Sequence, residues 1–200
     1  MKKFTFKPIL FMIILTVVYT GVLATINEVT RDRIQLNEKL SEQRSLLYVL
    51  DFSIPDDAVE VSNFYSTHIE IIEHQGETLY AGYQGDELVG YVIPIVGDAV
   101  WGQLTGFVAL TPDFTEIIGV EFLSHNETPG LGGRIDELEF KEQFRSIGID
   151  PDAIENFIAY RPDPEGQVDA ISGATGTSNA VRRILNASLQ AFLAETREGL

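Results

Sequence analysis

Asp169-Ala-Ile-Ser-Gly-Ala-Thr-Gly-Thr-Ser178 is a run of small residues. It lies between a polar, turn-rich linker, Arg161-Pro-Asp-Pro-Glu-Gly-Gln167, and a long amphipathic segment, Asn179 to Ala194. Glycines at 173 and 176 let the backbone bend sharply and approach a ligand closely. Thr177 or Ser178 is expected to cap the following helix, since a hydroxyl accepts from its free N–H groups. A loop of small residues feeding a helix N-terminus favours an anionic group, because orphan amides and the macrodipole point at it. On its spacing alone the stretch reads as a capped helix start rather than a ligand site. A P-loop is excluded, because no Gly-Lys-Ser/Thr follows.

Downstream, Val181, Ile184, Leu185, Leu189 and Phe192 recur at helical spacing and define one apolar face. Upstream, Val59 to Leu123 carries the period of strands: His68–Glu73, Thr78–Tyr83, Leu88–Val96, Leu104–Leu110 and Thr115–Leu123. Gln75-Gly76, Gln84-Gly-Asp86 and Thr111-Pro-Asp113 suit the connections, and short connections favour antiparallel pairing. Pro94 is expected at an edge or a bulge. Leu138 to Phe144 reads as a short helix, with Leu138, Phe140 and Phe144 partly on one side; Gly148 and Pro151 then stop regular structure. Asn156 to Tyr160 is expected to return to the sheet. The fold class is α+β, with a mainly antiparallel sheet and flanking helices, and no repeat or low-complexity tract.

At the other end, Ile9 to Ile26 runs 18 residues without a charge. At about 1.5 Å per residue it nearly matches a hydrocarbon core of about 30 Å. Lysines before it and mixed charges after it place the N-terminus in the cytoplasm and the rest on the far side of the membrane. Val22-Leu-Ala24 resembles a signal cleavage site, but the run exceeds the roughly 7–15 residues of a signal core, and an uncleaved anchor is the expectation. Asn27 to Leu50 then reads as a membrane-proximal helix, broken over Asp51–Asp57 by Pro55 and paired aspartates. The expected division is 1–8 cytoplasmic, 9–26 transmembrane, 27–57 membrane-proximal helix and linker, and 58–200 a single domain of the extracytoplasmic side.

Composition narrows the chemistry. The 200 residues are 44% hydrophobic, enough for a core, and contain no cysteine. Disulfides, cysteine-ligated iron–sulfur clusters and thiolate nucleophiles are therefore excluded, so any electron carried must sit on an organic cofactor. Of the 14 basic residues, Lys2, Lys3 and Lys7 precede the apolar run; the remainder holds 11 against 30 acidic residues, a net −19. Such a domain repels nucleic acid and anionic headgroups alike. His68, His74 and His125 share no metal-binding spacing, and no Ser-His-Asp constellation suggests hydrolysis.

Asp169-Ala-Ile-Ser172-Gly173-Ala174-Thr175 resembles the signature at which a flavin transferase attaches FMN to a threonine. The resemblance is to the FMN-binding family that includes the C-type subunit of the sodium-translocating NADH:quinone reductase (Nqr) and the G-type subunit of the Rnf complex. Val100-Trp-Gly-Gln-Leu-Thr-Gly-Phe-Val-Ala-Leu110 and His125-Asn-Glu-Thr-Pro-Gly-Leu-Gly-Gly-Arg134 resemble the same family, in the family's order. The chain departs at Ala99-Val100, where the family has Gly-Leu, which leaves the loop before Trp101 less defined.

The resemblance implies that Thr175 carries FMN through a phosphoester, with Ser172, Gly173 and Ala174 completing the acceptor loop. The transferase would use FAD and a divalent cation and release AMP. Asp169, a solvated turn carboxylate on its own merits, would help the transferase recognise the loop. Glu127, Thr128, Leu131 and Gly132 would contact the flavin ring or ribityl chain. Trp101 either stacks on the isoalloxazine or is a half-buried strand-end residue. His125 lies near enough in sequence to reach the same pocket.

The function implied is that of a single-pass membrane flavoprotein, an electron-transfer subunit of an ion-pumping Nqr- or Rnf-type complex, packing against other membrane subunits of the cytoplasmic membrane. No complete catalytic cycle is expected of this chain alone. The competing readings are a stand-alone anchored flavoprotein and a flavin-free anchored binding or assembly module.

Overall fold

The computed structural model describes residues 6–74, 76–151 and 157–196, the side chains of Glu77, Glu195 and Thr196 excepted. Met1–Thr5 of the basic start, Gln75 of one expected turn and Asn156 of one expected strand lie outside the described residues. The chain divides into two compact units, Met1–Lys39 and Leu40–Leu200.

Helix α1 runs without interruption over Lys7–Val49. Within the first unit its apolar side chains are exposed all round, and it is long and apolar enough to cross a membrane. Two hydroxyls in the apolar run turn back on the helix: Thr16 Oγ1 donates to the Met12 carbonyl at 2.9 Å and Thr25 Oγ1 to that of Gly21 at 2.8 Å. That is how a polar side chain is satisfied where no water is available.

The second unit is built on a six-stranded antiparallel meander in the order β1(Ile69–His74), β2(Glu77–Gln84), β3(Glu87–Asp98), β4(Gln103–Leu110), β5(Glu116–Ser124), β6(Ile147–Gly148). The β2–β3 pairing ends at Tyr80↔Val92, so Pro94, opposite Phe107 of β4, lies past it and costs no ladder bond there. Both faces of the sheet are covered. On one, Ile93, Ile95, Leu104, Val108 and Leu110 pack with Val181, Ile184, Leu185 and Leu189 of α4(Thr175–Thr196). On the other, Val92, Phe107 and Ala109 pack with Leu46, Leu47 and Val49 at the end of α1, with Leu50 just after it, and with Val61 of α2(Ala58–His68). Burial on two faces explains why Phe107-Val-Ala-Leu110 is apolar without alternation.

Several expectations are corrected. Ala58–His68 is a helix, not the start of the strand region. Asp57 ends the break rather than extending it: its Oδ1 accepts from the amides of Val59 at 2.8 Å and Glu60 at 3.2 Å, an N-cap. In the expected helix Leu138–Phe144 only Leu138–Lys141 (α3) is α-helical, with a 3-10 turn over Glu142–Phe144. Phe140 and Phe144 are buried but Leu138 is exposed. Regular structure does end at Gly148, but as the last residue of an unexpected two-residue strand, β6, in which it pairs with Glu116. Finally, residues 157–160 add no strand to the sheet; Tyr160 makes an isolated parallel bridge to Val168.

Polar pairs hold the end of α1 to the sheet. Arg145 donates to the carbonyls of Ile118 at 2.8 Å and Tyr48 at 3.1 Å, and its Nε to Glu142 at 2.8 Å. Tyr80 donates to Glu42 at 3.3 Å; burial and then the Glu42 charge push its phenol up to about 12.

Leu185→Ala, at a fully buried position, should cost about 3 kcal/mol and Asp57→Ala about 1 kcal/mol in denaturant melts. The raised Tyr80 ionisation means the folded state holds a proton that the unfolded chain releases near pH 10. Stability should therefore fall as pH rises from about 10 to about 12, and the fall should be shallower in Tyr80→Phe.

Candidate functional site

Three loops converge at the N-terminus of α4. The first, Ala99–Gly102, joins β3 to β4; the second, His125–Gly133, follows β5 and runs into a 3-10 turn over Gly132–Asp136; the third is Asp169–Ala174. They carry the three sequence blocks that share the family's order, and the structure brings them into direct contact.

The joint is a buried carboxylate. Glu127, 5% exposed, accepts at Oε1 from the backbone amides of Val100 and Trp101, each at 3.0 Å, and at Oε2 from the Thr177 hydroxyl. Its own amide donates to His125 Nδ1 at 3.1 Å. That bond leaves Nε2 as the protonated nitrogen of His125, facing Asp136 Oδ2 at 2.9 Å. Gly132 sits against this joint so closely that a Cβ there would collide with Thr177 Oγ1 and come within 2.6 Å of Glu127 Oε2. Gly176 similarly leaves 3.2 Å for Val100 Cγ2.

The third loop turns into α4 through Gly173, whose φ of +79° is the left-handed conformation that side chains rarely adopt. Thr175 is the first residue of α4 and is exposed, as are Ser172 and Gly173, while Ala174 is buried. First-turn amides of a helix have no carbonyl partner within it, so this position presents donors and the positive end of a 22-residue helix.

Helix α4 thus begins four residues earlier than Asn179, which corrects the expectation that Thr177 or Ser178 caps it. Both lie inside the first turn and are buried, at 4% and 0% exposure. Ser178 Oγ accepts from the Ile171 amide at 2.9 Å and donates to the Ala174 carbonyl at 3.2 Å. The sequence holds a signal for this: counting back three and four from Val181 extends the apolar stripe onto Ser178 and Thr177. Reading Thr177 as a cap hides its role as the partner of Glu127.

Trp101 is 66% exposed, and with half-exposed Val100 and Leu131 forms an apolar rim. Leu131 Cδ2 lies within 3.6 Å of where a Gly173 Cβ would stand, so this rim borders the Thr175 loop. Thr128 is exposed, and its carbonyl accepts from the amides of Leu131 and Gly133. Gly132 is buried at the joint. Glu127 has both oxygens committed within the protein. Asp169 is exposed and pairs with Arg161 Nη1 at 2.9 Å, and its amide donates to Gln143 at 2.8 Å. Asp169 and Ser172 line an open groove of ≈ 650 Å³ with Arg134, Gln143 and Arg161. Among the described residues no group of three or more His, Asp or Glu could hold a metal ion.

The arrangement fits a flavin phosphate ester. An exposed hydroxyl stands at a helix N-terminus, where a residual negative charge gains about 0.3–1 kcal/mol, and exposed apolar side chains stand beside it for a flat ring. Since Gly132 has no room for a methyl group, Gly132→Ala should lose about 1–3 kcal/mol in a thermal or denaturant melt and loosen the joint; an unchanged midpoint would contradict the packing.

Comparisons with known proteins bear on the cofactor, and they point to FMN. Residues 100–190 match the FMN-binding domain family. The C-type subunit of the Na(+)-translocating NADH-quinone reductase of Pseudomonas aeruginosa is 33% identical over 135 residues, 61% of this chain and 52% of that protein. Its counterpart from Vibrio anguillarum is 32% identical over 131 residues, 60% and 51%. The chain spans about half the length of these relatives. The G-type subunit of the ion-translocating oxidoreductase complex of Methanosarcina acetivorans is 27% identical over 188 residues, 92% of both chains. Among solved structures, NqrC of Shewanella oneidensis superposes with a TM-score of 0.66 at 19% identity, over 78% of this chain and 96% of that one. The corresponding protein from Parabacteroides distasonis gives 0.68 at 21%, over 82% and 94%. At those identities the structures show a shared fold. All three blocks read from the sequence fall within residues 100–190, the one continuous span that matches the FMN-binding domain family.

Proposed function

We propose that the chain is a membrane-anchored flavoprotein, an electron-transfer subunit of an ion-translocating redox complex of the Nqr or Rnf type, with FMN esterified to Thr175. The observation that carries the reading is an exposed threonine hydroxyl at the first residue of α4, inside a Ser-Gly-Ala-Thr loop and beside the apolar rim of Val100, Trp101 and Leu131. Bound there, FMN supplies one-electron redox chemistry. The chain itself supplies the tether, the first-turn amides that face the ester's remaining charge, and the apolar surface for the ring.

A threonine hydroxyl is a weak nucleophile unless a base activates it, so attachment falls to a separate flavin transferase. The Thr175 oxygen attacks the FMN phosphorus of FAD, the pyrophosphate bond breaks, AMP leaves, and the hydroxyl proton passes to the transferase. The groove beside Asp169–Ser172 gives that enzyme access to the motif, and the exposed Arg161–Asp169 pair is of the kind that opens at little cost. The apolar part of α1 anchors the chain in the cytoplasmic membrane, the domain lies on the extracytoplasmic side, and further membrane subunits complete the complex. The match over 92% of both chains favours the G-type assignment over the C-type.

The test is a denaturing gel of the full chain expressed with a flavin transferase and viewed under ultraviolet light. A fluorescent band that survives boiling and vanishes in Thr175→Ala is expected. A dark wild-type band would remove the basis of the assignment, and a band that persists in Thr175→Ala would move the attachment elsewhere.

A further inference from the structure

The joint at Glu127 does more than pack. Its carboxylate ties the three segments together: it sits on the second loop, accepts two backbone amides of the first, and takes the Thr177 hydroxyl inside the helix that begins at Thr175. Two consecutive amides on one oxygen fix the direction of the Val100–Trp101 peptide, and with it the direction in which the indole leaves the backbone. The glycines confirm how tight the fit is, since Gly132 leaves no space beside the carboxylate and Gly176 little beside Val100. A shorter acid at 127 cannot span the same gap, and a buried carboxylate that lost these donors would be strongly penalised.

We propose that Glu127 is a positioning residue, not a flavin contact: through Val100 N, Trp101 N and Thr177 Oγ1 it holds the indole of Trp101 in a fixed relation to the Thr175 tether, so that the ring of a flavin attached there is held against the indole. Thr177 is its obligatory partner. His125 supports it from behind through the Glu127 amide, and Asp136 fixes the imidazole. The part concerning the ring rests on the flavin reading above; the part concerning Trp101 and Thr177 does not. Since Glu127 lies outside the Asp169–Thr175 motif, attachment and ring positioning separate: breaking the joint leaves the flavin on the chain but frees the ring.

The full chain in detergent provides the test, with Trp101, the sole tryptophan, as an internal probe. In Thr175→Ala protein, which bears no flavin, adding Glu127→Ala or Thr177→Val should raise acrylamide quenching of Trp101 and speed exchange of the Val100 and Trp101 amides by about tenfold or more. Glu127→Gln and Thr177→Ser, which keep an acceptor and a hydroxyl, should restore wild-type behaviour. In flavin-loaded protein the two breaking variants should keep a gel band of wild-type intensity, while native flavin emission rises and its anisotropy falls. A role in packing alone would lower the melting temperature and leave Trp101 quenching and ring emission unchanged, which would overturn the proposal. Fast exchange of the Val100 and Trp101 amides in the unsubstituted chain would overturn it without any variant. A dark gel with slow Val100 and Trp101 exchange would instead remove the flavin assignment and leave the joint standing.

Discussion

The packing of α4 on β3 and β4 is the constraint on which the site depends. Val181, Ile184, Leu185 and Leu189 are buried against the strands, and that stripe continues N-terminally through Ser178 and Thr177. Once the stripe is seated, the rotation of the helix is settled. Residues 177 and 178 face inward with the stripe, while Thr175 opens the helix at the border of that stripe and is exposed. The seating of the helix thus sets where its first residue stands.

The sheet acts on the same point from the other direction. The β3–β4 connection and the chain after β5 leave the meander at the same end, because the strands are sequential and antiparallel. Topology alone therefore brings Trp101 and Glu127 near one another, and the carboxylate turns nearness into contact. A hydrophobic framework sets the positions to within a few ångströms, and a single polar joint sets the directions. That division of labour is common where a site must be both stable and specific.

Much of this was legible in the chain. Five of the six strands show in their alternation or their apolar runs, because each has at least one buried face and turn residues at its ends. The three blocks were legible because small residues, Pro and Gly stand where backbone must approach backbone. What was not legible was local chemistry that depends on a partner far away in sequence. Ala58–His68 looked like strand because its β-branched and aromatic residues are indifferent to period over so short a length. Its helix is specified by Asp57, which reads as punctuation until its acceptor geometry is seen. The two-residue β6 is specified by pairing with β5 and by nothing in Ile147-Gly148 itself. Thr177 carried two meanings, cap or buried donor, and only the position of Glu127, 50 residues away, separates them.

The long first helix is not divided at the same place as its function. Leu46, Leu47 and Val49, in its final turns, together with Leu50 just after them, are as deeply buried as any residue of the sheet, and Arg145 reaches the carbonyl of Tyr48. A soluble fragment prepared by cutting at the edge of the apolar run, after Ile26, keeps this plug. A cut placed at the apparent domain start near Ala58 removes it and strips one face of the sheet of its cover. The boundary for recombinant truncation therefore lies upstream of Leu40, well before the first strand, and the last turns of the helix are inseparable from the body they cover.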